Sequence, residues 1–99
     1  MYRVTIQYAV PDDPEAFDER YVEGHVPLVL PVPGLLSFTY SKVRPMGGAQ
    51  TVYLVAQLDF EDRDAMKQGL ASPELAAAGA DADEIGVART MFSGEVVTA

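Results

Sequence analysis

The first segment of the chain alternates strictly between apolar and polar positions. Its apolar positions occupy one side of an extended chain: Tyr2, Val4, Ile6, Tyr8 and Val10. The intervening positions carry polar side chains: Arg3, Thr5 and Gln7. Successive side chains of a strand point to opposite faces, so this period of two predicts a β-strand with one strongly apolar face.

The pattern then changes to helical spacing. Asp13 is suited to cap free amides, Pro14 to the first helical position and Glu15 to the positive end of the helix dipole. The apolar positions that follow form one stripe on the predicted helix: Phe17, Tyr21, Gly24 and Leu28. His25 lies on the shoulder of that stripe. We expect Pro27 to kink or end the helix nearby, because proline has no amide to donate.

Two further alternating segments predict a β-hairpin. They are joined by a turn-rich loop at Pro45-Met46-Gly47-Gly48. The apolar side of the second predicted strand consists of Leu36, Phe38 and Tyr40. The apolar side of the third consists of Val52, Leu54, Ala56, Leu58 and Phe60. Each keeps the period of two that is typical of a half-buried strand.

The rest of the chain predicts a helix in two pieces and a fourth strand. Acidic residues crowd the start of the next helix, which continues through Leu70. Ser72-Pro73-Glu74 is a fresh helix start and predicts a second piece from Leu75 to about Ala78, closed by residues 79–83. Residues 87–97 alternate again and predict the last strand.

The predicted order of elements is β-α-β-β-α-β. That order is typical of the ferredoxin-like α+β fold, an antiparallel sheet with two helices on one face. We expect residues 1–99 to form a single domain. The opposite sheet face is predicted to be half-apolar, with these residues: Leu35, Val43, Tyr53, Val55, Val87, Met91 and Val97. We expect a homodimer packed through this open face, with a monomer of ordinary mixed surface as the alternative.

Charge and composition narrow the classes of partner. The chain has 15 acidic and 7 basic residues, a net charge of −8 and no cysteine. Nucleic acid and anionic membrane surfaces both require clustered lysine and arginine, so we expect neither as a partner. There is no apolar segment of about 20 residues that could span a bilayer and no secretory signal pattern, so we expect a cytoplasmic protein.

Proton-transfer chemistry has few candidate residues. His25 is the only histidine, and histidine is the side chain whose ordinary pKa lies closest to neutrality. If the helix ends near it, we expect the charged form to be favoured. Alternatively, His25 caps a carbonyl or fills the rim of the core. Tyr40, and less so Tyr8, could orient a substrate oxygen, but core packing is the alternative for each. Arg44 could attract an anionic ligand or pair with surface acids.

No cofactor or metal is expected from the motifs. Asp59, Glu61, Asp62 and Asp64 resemble a metal cluster in number, but they straddle a helix start, where acidic residues are favoured without a metal. Gly47-Gly48 lacks the lysine and the following helix of a phosphate-binding loop, and no dinucleotide-binding fingerprint is present.

In the order and spacing of these features, nearly the whole chain resembles the EthD family of the dimeric α+β barrel superfamily. The matching features are the strand ending in Tyr8, then Pro11, Phe17, Tyr21, His25, Pro27 and Leu28, then Pro33-Gly34-Leu35, then Leu70-Ala71-Ser72-Pro73-Glu74 and Ala78-Gly79-Ala80-Asp81. The resemblance implies two ferredoxin-like subunits whose sheets pack face to face. It also implies a cleft between helix and sheet, with His25 facing it and Tyr40 at the position of a strand-two tyrosine used by related isomerases.

Two hypotheses for the function follow from the residues and the resemblance together. In the first, a homodimer binds a small apolar or aromatic metabolite and catalyses cofactor-free isomerisation, cyclisation or dehydration. His25 is then the general acid/base and Tyr40 the orienting hydroxyl. In the second, the same pocket belongs to a non-catalytic accessory or ligand-binding protein of a catabolic or biosynthetic pathway. Cofactor-free oxygenation is a third option without specific support in the sequence.

Overall fold

A four-stranded antiparallel sheet, covered by helices on one face, accounts for the fold. The computed structural model describes all 99 residues. Its elements are, in chain order, β1 Tyr2–Ala9, α1 Pro14–Arg20, a π-helical turn Tyr21–His25, α2 Val26–Val29, β2 Leu35–Lys42, β3 Val52–Phe60, α3 Arg63–Leu70, α4 Pro73–Ile85 and β4 Arg89–Glu95. The strand order across the sheet is β2-β3-β1-β4. This arrangement confirms the predicted ferredoxin-like α+β fold. No helix has the length and apolar character needed to cross a membrane.

The helix starts form as the sequence predicts. The side chains of Asp13, Asp62 and Ser72 each accept a hydrogen bond from the backbone amide three residues later, at 3.2, 2.8 and 3.2 Å. Such caps satisfy amides that have no partner within the helix. The acidic cluster at the start of α3 therefore has a structural explanation in its capping residue.

The fourth helix is longer than predicted. We expected its second piece to end near Ala78, but α4 continues to Ile85. Gly79 does not stop it, because the surrounding alanine-rich segment has high helix propensity that outweighs one glycine. The helix ends only at Gly86, whose φ of 77° places it in the left-handed region that glycine adopts readily. Strand β4 is correspondingly shorter than the predicted 87–97 and begins at Arg89.

A π-helical turn interrupts the first helix and shifts its buried stripe. The amide of Val26 bonds to the carbonyl of Tyr21, five residues back, and the next residue is Pro27. The ring of Pro27 would clash with the carbonyl of residue 23 in a regular α-helix, and the wider turn relieves that clash. The predicted stripe was therefore wrong after Tyr21. The fully buried positions are spaced by four instead: Phe17, Tyr21, His25 and Val29.

The register of the sheet corrects the predicted open face. Residues directly opposite one another on antiparallel strands share a face. Met91 lies opposite Ile6, and Arg89 lies opposite Tyr8, so both belong to the helix-covered face. Phe92 lies opposite Thr5 on the open face and is half exposed. The prediction that Met91 lies on the open face was wrong by one position, which reverses the direction of a strand side chain.

Five other residues predicted for the open face also lie elsewhere. Leu35 packs against the cluster around Phe60, and Tyr53 and Val87 pack against the cluster around Tyr8. Val43 and Val97 lie beyond the ends of their strands. The open face carries the following residues: Arg3, Thr5, Gln7, Ser37, Thr39, Ser41, Val55, Gln57, Asp59, Thr90, Phe92 and Gly94. It is therefore mainly polar, and the predicted half-apolar composition was wrong.

An ion pair crosses the middle of that open face. Arg3 donates to Asp59 through Nε at 2.7 Å and through Nη2 at 3.2 Å, and the Ser37 hydroxyl adds a bond of 3.1 Å. The hydrogen bond from Arg3 is the main reason why the pKa of Asp59 lies below its ordinary value. The carboxylate of Asp59 is thus bound by Arg3 and Ser37 on the sheet and does not belong to the acidic start of α3.

Candidate active site

An apolar cavity of about 160 Å³ lies between the sheet and the helices. Its floor is formed by side chains from all four strands, including Ile6, Phe38 and Met91. Much of its roof is α4, which contributes small residues, among them Ala78, Gly79 and Ala82. Small side chains leave room that larger ones would fill. The resemblance implied a cleft between the first helix and the sheet, and the structure adds α4 as a second wall.

His25 forms part of the cavity wall. It ends the π-helical turn and is 4% exposed, so it lies on the buried stripe and not on its shoulder. Its ring packs against that of Tyr21 with 5.0 Å between centroids. Its Nδ1 lies 3.0 Å from Oδ2 of Asp81 on α4. The π-helical turn and the unpredicted extension of α4 together create this pair.

Asp81 is held in its ionised form. Arg20 donates to Oδ1 of Asp81 at 2.6 Å, and this hydrogen bond is the main cause of a pKa below the ordinary value for that carboxyl. A carboxylate can only accept, so the proton of a neutral His25 imidazole belongs on Nδ1. The lone pair is then on Nε2, which has no hydrogen-bond partner in the protein and is not fully enclosed.

His25 is neutral at ordinary pH. Burial disfavours the imidazolium and is the largest influence, so the pKa of His25 lies below its ordinary value although Asp81 acts in the opposite direction. The expectation that a nearby helix end favours the charged form was wrong, because the chain remains helical past His25 into α2. A neutral imidazole with a free Nε2 at a cavity wall can accept a proton.

Two tyrosines line the cavity beside His25. The rings of Tyr8 and Tyr21 meet edge to face, 5.7 Å apart. Neither hydroxyl has a protein partner, and neither is fully enclosed. Burial is the main cause of a raised pKa for both phenols, so both remain protonated hydrogen-bond donors at neutral pH. Tyr8 therefore combines the predicted packing role with a hydroxyl available to a ligand.

Tyr40 lies next to this group but not in the cavity wall. Its ring meets that of Tyr21 edge to face at 5.3 Å, and 40% of its surface is exposed. His25 and Tyr40 therefore contact the same tyrosine, while only His25 lines the cavity. Arg44 is exposed and borders a separate depression with Lys42 and Tyr53, so it does not contribute to this site.

Sequence reasoning missed Asp81 and Arg89. Asp81 was predicted to lie among the residues that close a short helix. Arg89 was predicted to lie in the last strand, with no functional role. Arg89 lines the cavity from the first position of β4, directly opposite Tyr8. The spacing that could have revealed Asp81 is its position three residues after Ala78 on one face of a longer helix, but that required knowing where α4 ends.

The arrangement contains no cluster suited to a metal ion. No group of three or more histidine, cysteine, aspartate or glutamate side chains lies close enough together to hold one. Of the four acidic residues considered from the sequence, Asp59 is paired with Arg3 and Asp62 caps α3.

The fold and the site define a small ferredoxin-like α+β protein with a buried histidine–aspartate pair beside an apolar cavity. Residues 11–86 match the EthD domain. The chain therefore belongs to the EthD family, as the resemblance in its sequence indicated.

Comparison with individual proteins agrees with this assignment. The chain is 46% identical over 82 residues to an uncharacterised 11.0 kDa protein of the thcB–thcC intergenic region of Rhodococcus erythropolis, covering 82% of this chain and 80% of that protein. It superposes on an EthD family protein of Bacillus halodurans with a TM-score of 0.88 and 30% identity, covering 98% and 99% of the two chains. SnoaB of Streptomyces nogalater, a cofactor-independent oxygenase, shares the fold with a TM-score of 0.67, 14% identity and coverage of 99% and 94%.

Proposed function

We propose that this protein binds a small apolar metabolite in the cavity and catalyses a cofactor-free proton transfer. The observation that carries the proposal is the neutral His25 in the cavity wall, held by Asp81 at 3.0 Å with Nε2 unpaired. A cavity of about 160 Å³ is close in size to one that accepts a single benzene ring. The ligand is therefore a single-ring compound or one of similar size.

The proposed chemistry is general acid/base catalysis by His25. Nε2 removes a proton from an activated carbon of the ligand, and Asp81 stabilises the imidazolium that forms. Return of the proton to a different carbon gives isomerisation. Return to a leaving hydroxyl gives dehydration, and proton transfer during ring closure gives cyclisation. None of these reactions requires an added electron donor or acceptor.

Tyr40 has an indirect part in this proposal. The sequence predicted it as the orienting hydroxyl, but its ring contacts Tyr21 and is absent from the cavity wall. We therefore propose that Tyr40 positions Tyr21, whose own hydroxyl is available to the ligand. Tyr40→Phe preserves the ring contact, so a substantial loss of activity in that variant would restore the direct role.

The proposed assembly is a homodimer formed through the open sheet face. That face is only partly exposed at Thr5, Gln7 and Gln57, and its large apolar side chains are Val55 and Phe92. Such a mixed surface is typical of interfaces that combine apolar contacts with hydrogen bonds. The fold is shared with dimeric ferredoxin-like proteins from Thermobifida fusca and Bacteroides fragilis, at 14% and 17% identity.

A second candidate function is that of a non-catalytic accessory protein. The specific observation in its favour is the Rhodococcus relative, which is described only by its place between thcB and thcC. A small protein encoded between two other genes is consistent with a helper that carries or senses a ligand for a partner enzyme. The cavity would then bind the ligand without converting it.

Exchange of acidic carbon-bound protons in deuterated water separates these two functions. A panel of single-ring enolisable ketones and lactones is incubated with the protein, and loss of the proton signal is followed by NMR. Catalysis predicts accelerated exchange for at least one compound and a fall of about 10²–10⁴-fold in His25→Gln. The accessory function predicts that the compounds bind without accelerated exchange.

A folding control accompanies this test. His25 is 4% exposed, so the sequence-based expectation that replacing it leaves folding nearly unchanged no longer holds. Loss of its hydrogen bond to the charged Asp81 costs about 1.5–3 kcal/mol. His25→Asn keeps a donor near the position of Nδ1 and serves as the milder variant. If both variants lose stability while exchange per folded molecule is unchanged, His25 is structural and the catalytic proposal fails.

A further inference from the structure

Arg89 is the only cationic side chain in the wall of the cavity, and its position there is set by the sheet register. It lies directly opposite Tyr8 in the pairing of β4 with β1, so the two side chains share the helix-covered face. Both line the cavity together with His25. A guanidinium among mainly apolar side chains loses hydration, and such groups are found where they have a partner.

The partners of Arg89 within the protein are incomplete. Its Nη1 donates to Oδ1 of Asp83 at 3.0 Å. The side chain of Asp83 is 75% exposed and that of Arg89 is 22% exposed, so this ion pair lies at the solvent edge of the cavity. A guanidinium has five N–H donors, and the side chain of Arg89 makes no other hydrogen bond in the protein. The Tyr8 hydroxyl across the register is also unpaired.

The charge of Arg89 acts on both of its neighbours in the cavity. It opposes protonation of His25 and favours ionisation of Tyr8, and in each case it lowers the pKa, although burial determines the net direction for both groups. All three side chains line the same cavity, and Arg89 lies directly opposite Tyr8 in the sheet. A ligand that contacts His25 in this cavity is therefore also exposed to the positive charge of Arg89.

We propose that Arg89 and Tyr8 form an oxygen-binding subsite, so that the substrate is a small cyclic compound with an enolisable carbonyl. The proposal rests on the proton-transfer function of His25. When Nε2 takes the proton on the carbon next to the carbonyl, the C–H electrons form a carbon–carbon double bond. The carbonyl π electrons move to oxygen, where the negative charge is stabilised by the guanidinium and the phenol. Reprotonation of the same carbon by His25 restores the starting carbonyl compound, which is proton exchange. When the ring also carries a C=C bond conjugated with the enolate, reprotonation at the far end of that bond restores the carbonyl, shifts the double bond and gives the isomer.

A phenol probe tests the subsite without requiring the substrate. 4-Nitrophenol ionises near neutrality, and its phenolate resembles an enolate in shape and charge and absorbs at a different wavelength from the neutral form. Titration of the protein with 4-nitrophenol, followed by absorbance across pH, gives the pKa of the bound probe. We expect that pKa to be lower than in free solution, because Arg89 and Tyr8 both donate to the phenolate.

Variants assign the effect to these two residues. Arg89→Met keeps the length of the side chain but removes the charge, and it should weaken binding of the phenolate by about 10–100-fold. Tyr8→Phe should give a smaller loss and tests the subsite if Arg89→Met does not fold. Arg63→Met is the matched control, because Arg63 is exposed, makes no ion pair and lies outside the cavity.

The outcomes separate this inference from the proposed function. Binding with a lowered probe pKa in the wild-type chain and in His25→Gln, but not in Arg89→Met, supports the subsite whether or not His25 is catalytic. Binding of the neutral phenol alone, or equal phenolate binding by Arg89→Met and wild type, overturns the subsite and leaves the role of His25 intact. Failure of both 4-nitrophenol and nitrobenzene to bind shows that the cavity does not accept a single-ring ligand, and both proposals then fail.

Discussion

At the scale of single residues, three charged side chains determine how His25 behaves. Asp81 favours its protonation, whereas Arg89 and Arg20 oppose it, and burial adds the largest opposing influence. The uncharged Tyr8 and Tyr21 complete the immediate surroundings. Removing the negative charge of Asp81 should therefore lower the pKa of His25, and removing the positive charge of Arg89 or Arg20 should raise it.

The single histidine makes this prediction directly measurable, because its imidazole protons give one set of NMR signals. We expect the pKa of His25 to lie below the ordinary value of about 6.5 in the wild-type chain. In Asp81→Asn it should fall further, and in Arg89→Met it should rise. Equal values in all three chains would show that neither charge reaches the ring.

The same lowered pKa fixes the sign of one contribution to stability. Between the ordinary histidine pKa and the lowered folded value, the unfolded chain binds more protons than the folded chain. The contribution from His25 is therefore fully present above pH of about 6.5 and is lost as the pH falls through the folded value. His25→Gln should show a flatter dependence of melting temperature on pH in that interval, which can be checked by calorimetry.

At the scale of elements, close packing of α3 against β3 depends on one glycine. A Cβ at Gly69 would lie 2.6 Å from Cε1 of Phe60 and 3.0 Å from the carbonyl oxygen of Pro33. Phe60 is completely buried, so its ring has little room to move. The absence of a side chain at position 69 therefore sets how near the helix can approach the strand.

We expect Gly69→Ala to reduce the free energy of unfolding by about 1–3 kcal/mol, the usual range for overpacking. Gly79→Ala is the matched control, since it also lies within a helix but its Cβ would meet nothing within 4 Å. That variant should gain up to about 1 kcal/mol from helix propensity. Urea denaturation measures both, and a gain in Gly69→Ala would show that Phe60 relaxes freely.

The elements also show which features the sequence could and could not predict. The caps predicted at Asp13 and Ser72 involve neighbouring residues, and both form as expected. Asp62, predicted only as an acidic residue at a helix start, caps α3 as well. The predicted end of α4 was wrong because the helix propensity of the alanine-rich segment outweighs the glycine and aspartate residues that were expected to end the helix. For the same reason Asp81 was not predicted as a partner of His25, since a helix ending near Ala78 does not bring residue 81 to His25.

At the scale of the whole molecule, the order of elements was enough to predict the fold but not to predict which side chains lie on each face of the sheet. The β-α-β-β-α-β order restricts the topology strongly, and the observed strand order follows it. Side-chain direction depends on register, and irregularities between Tyr8 and Ala9 and between Leu35 and Ser37 break the simple alternation. The pairing of β4 with β1 is regular, and Met91 was misplaced because the alternation within β4 does not show which of its two sides faces the helices.

The corrected faces change the variants that test the proposed dimer. Val55→Asp and Phe92→Asp place a charge on the open face and should weaken self-association. Met91 lies in the cavity, so a charge there would not test the interface. Met46→Asp is the control, because Met46 is fully exposed in the loop between β2 and β3. Sedimentation should show a dimer for wild type and Met46→Asp at micromolar concentration and more monomer for the other two. A monomeric wild type would contradict the assembly.

The π-helical turn gives Glu23 a role that no amino-acid replacement would reveal. Glu23 is exposed, and exchanging it for another helix-forming residue alters no contact of the site. Its presence, however, is what lets the turn close on the fifth residue and not the fourth. Deleting it would shorten the segment by one residue and rotate everything beyond by about 100° relative to α1, carrying His25 away from Asp81. Glu23 is a spacer, and the number of residues in this segment carries information that their identities do not.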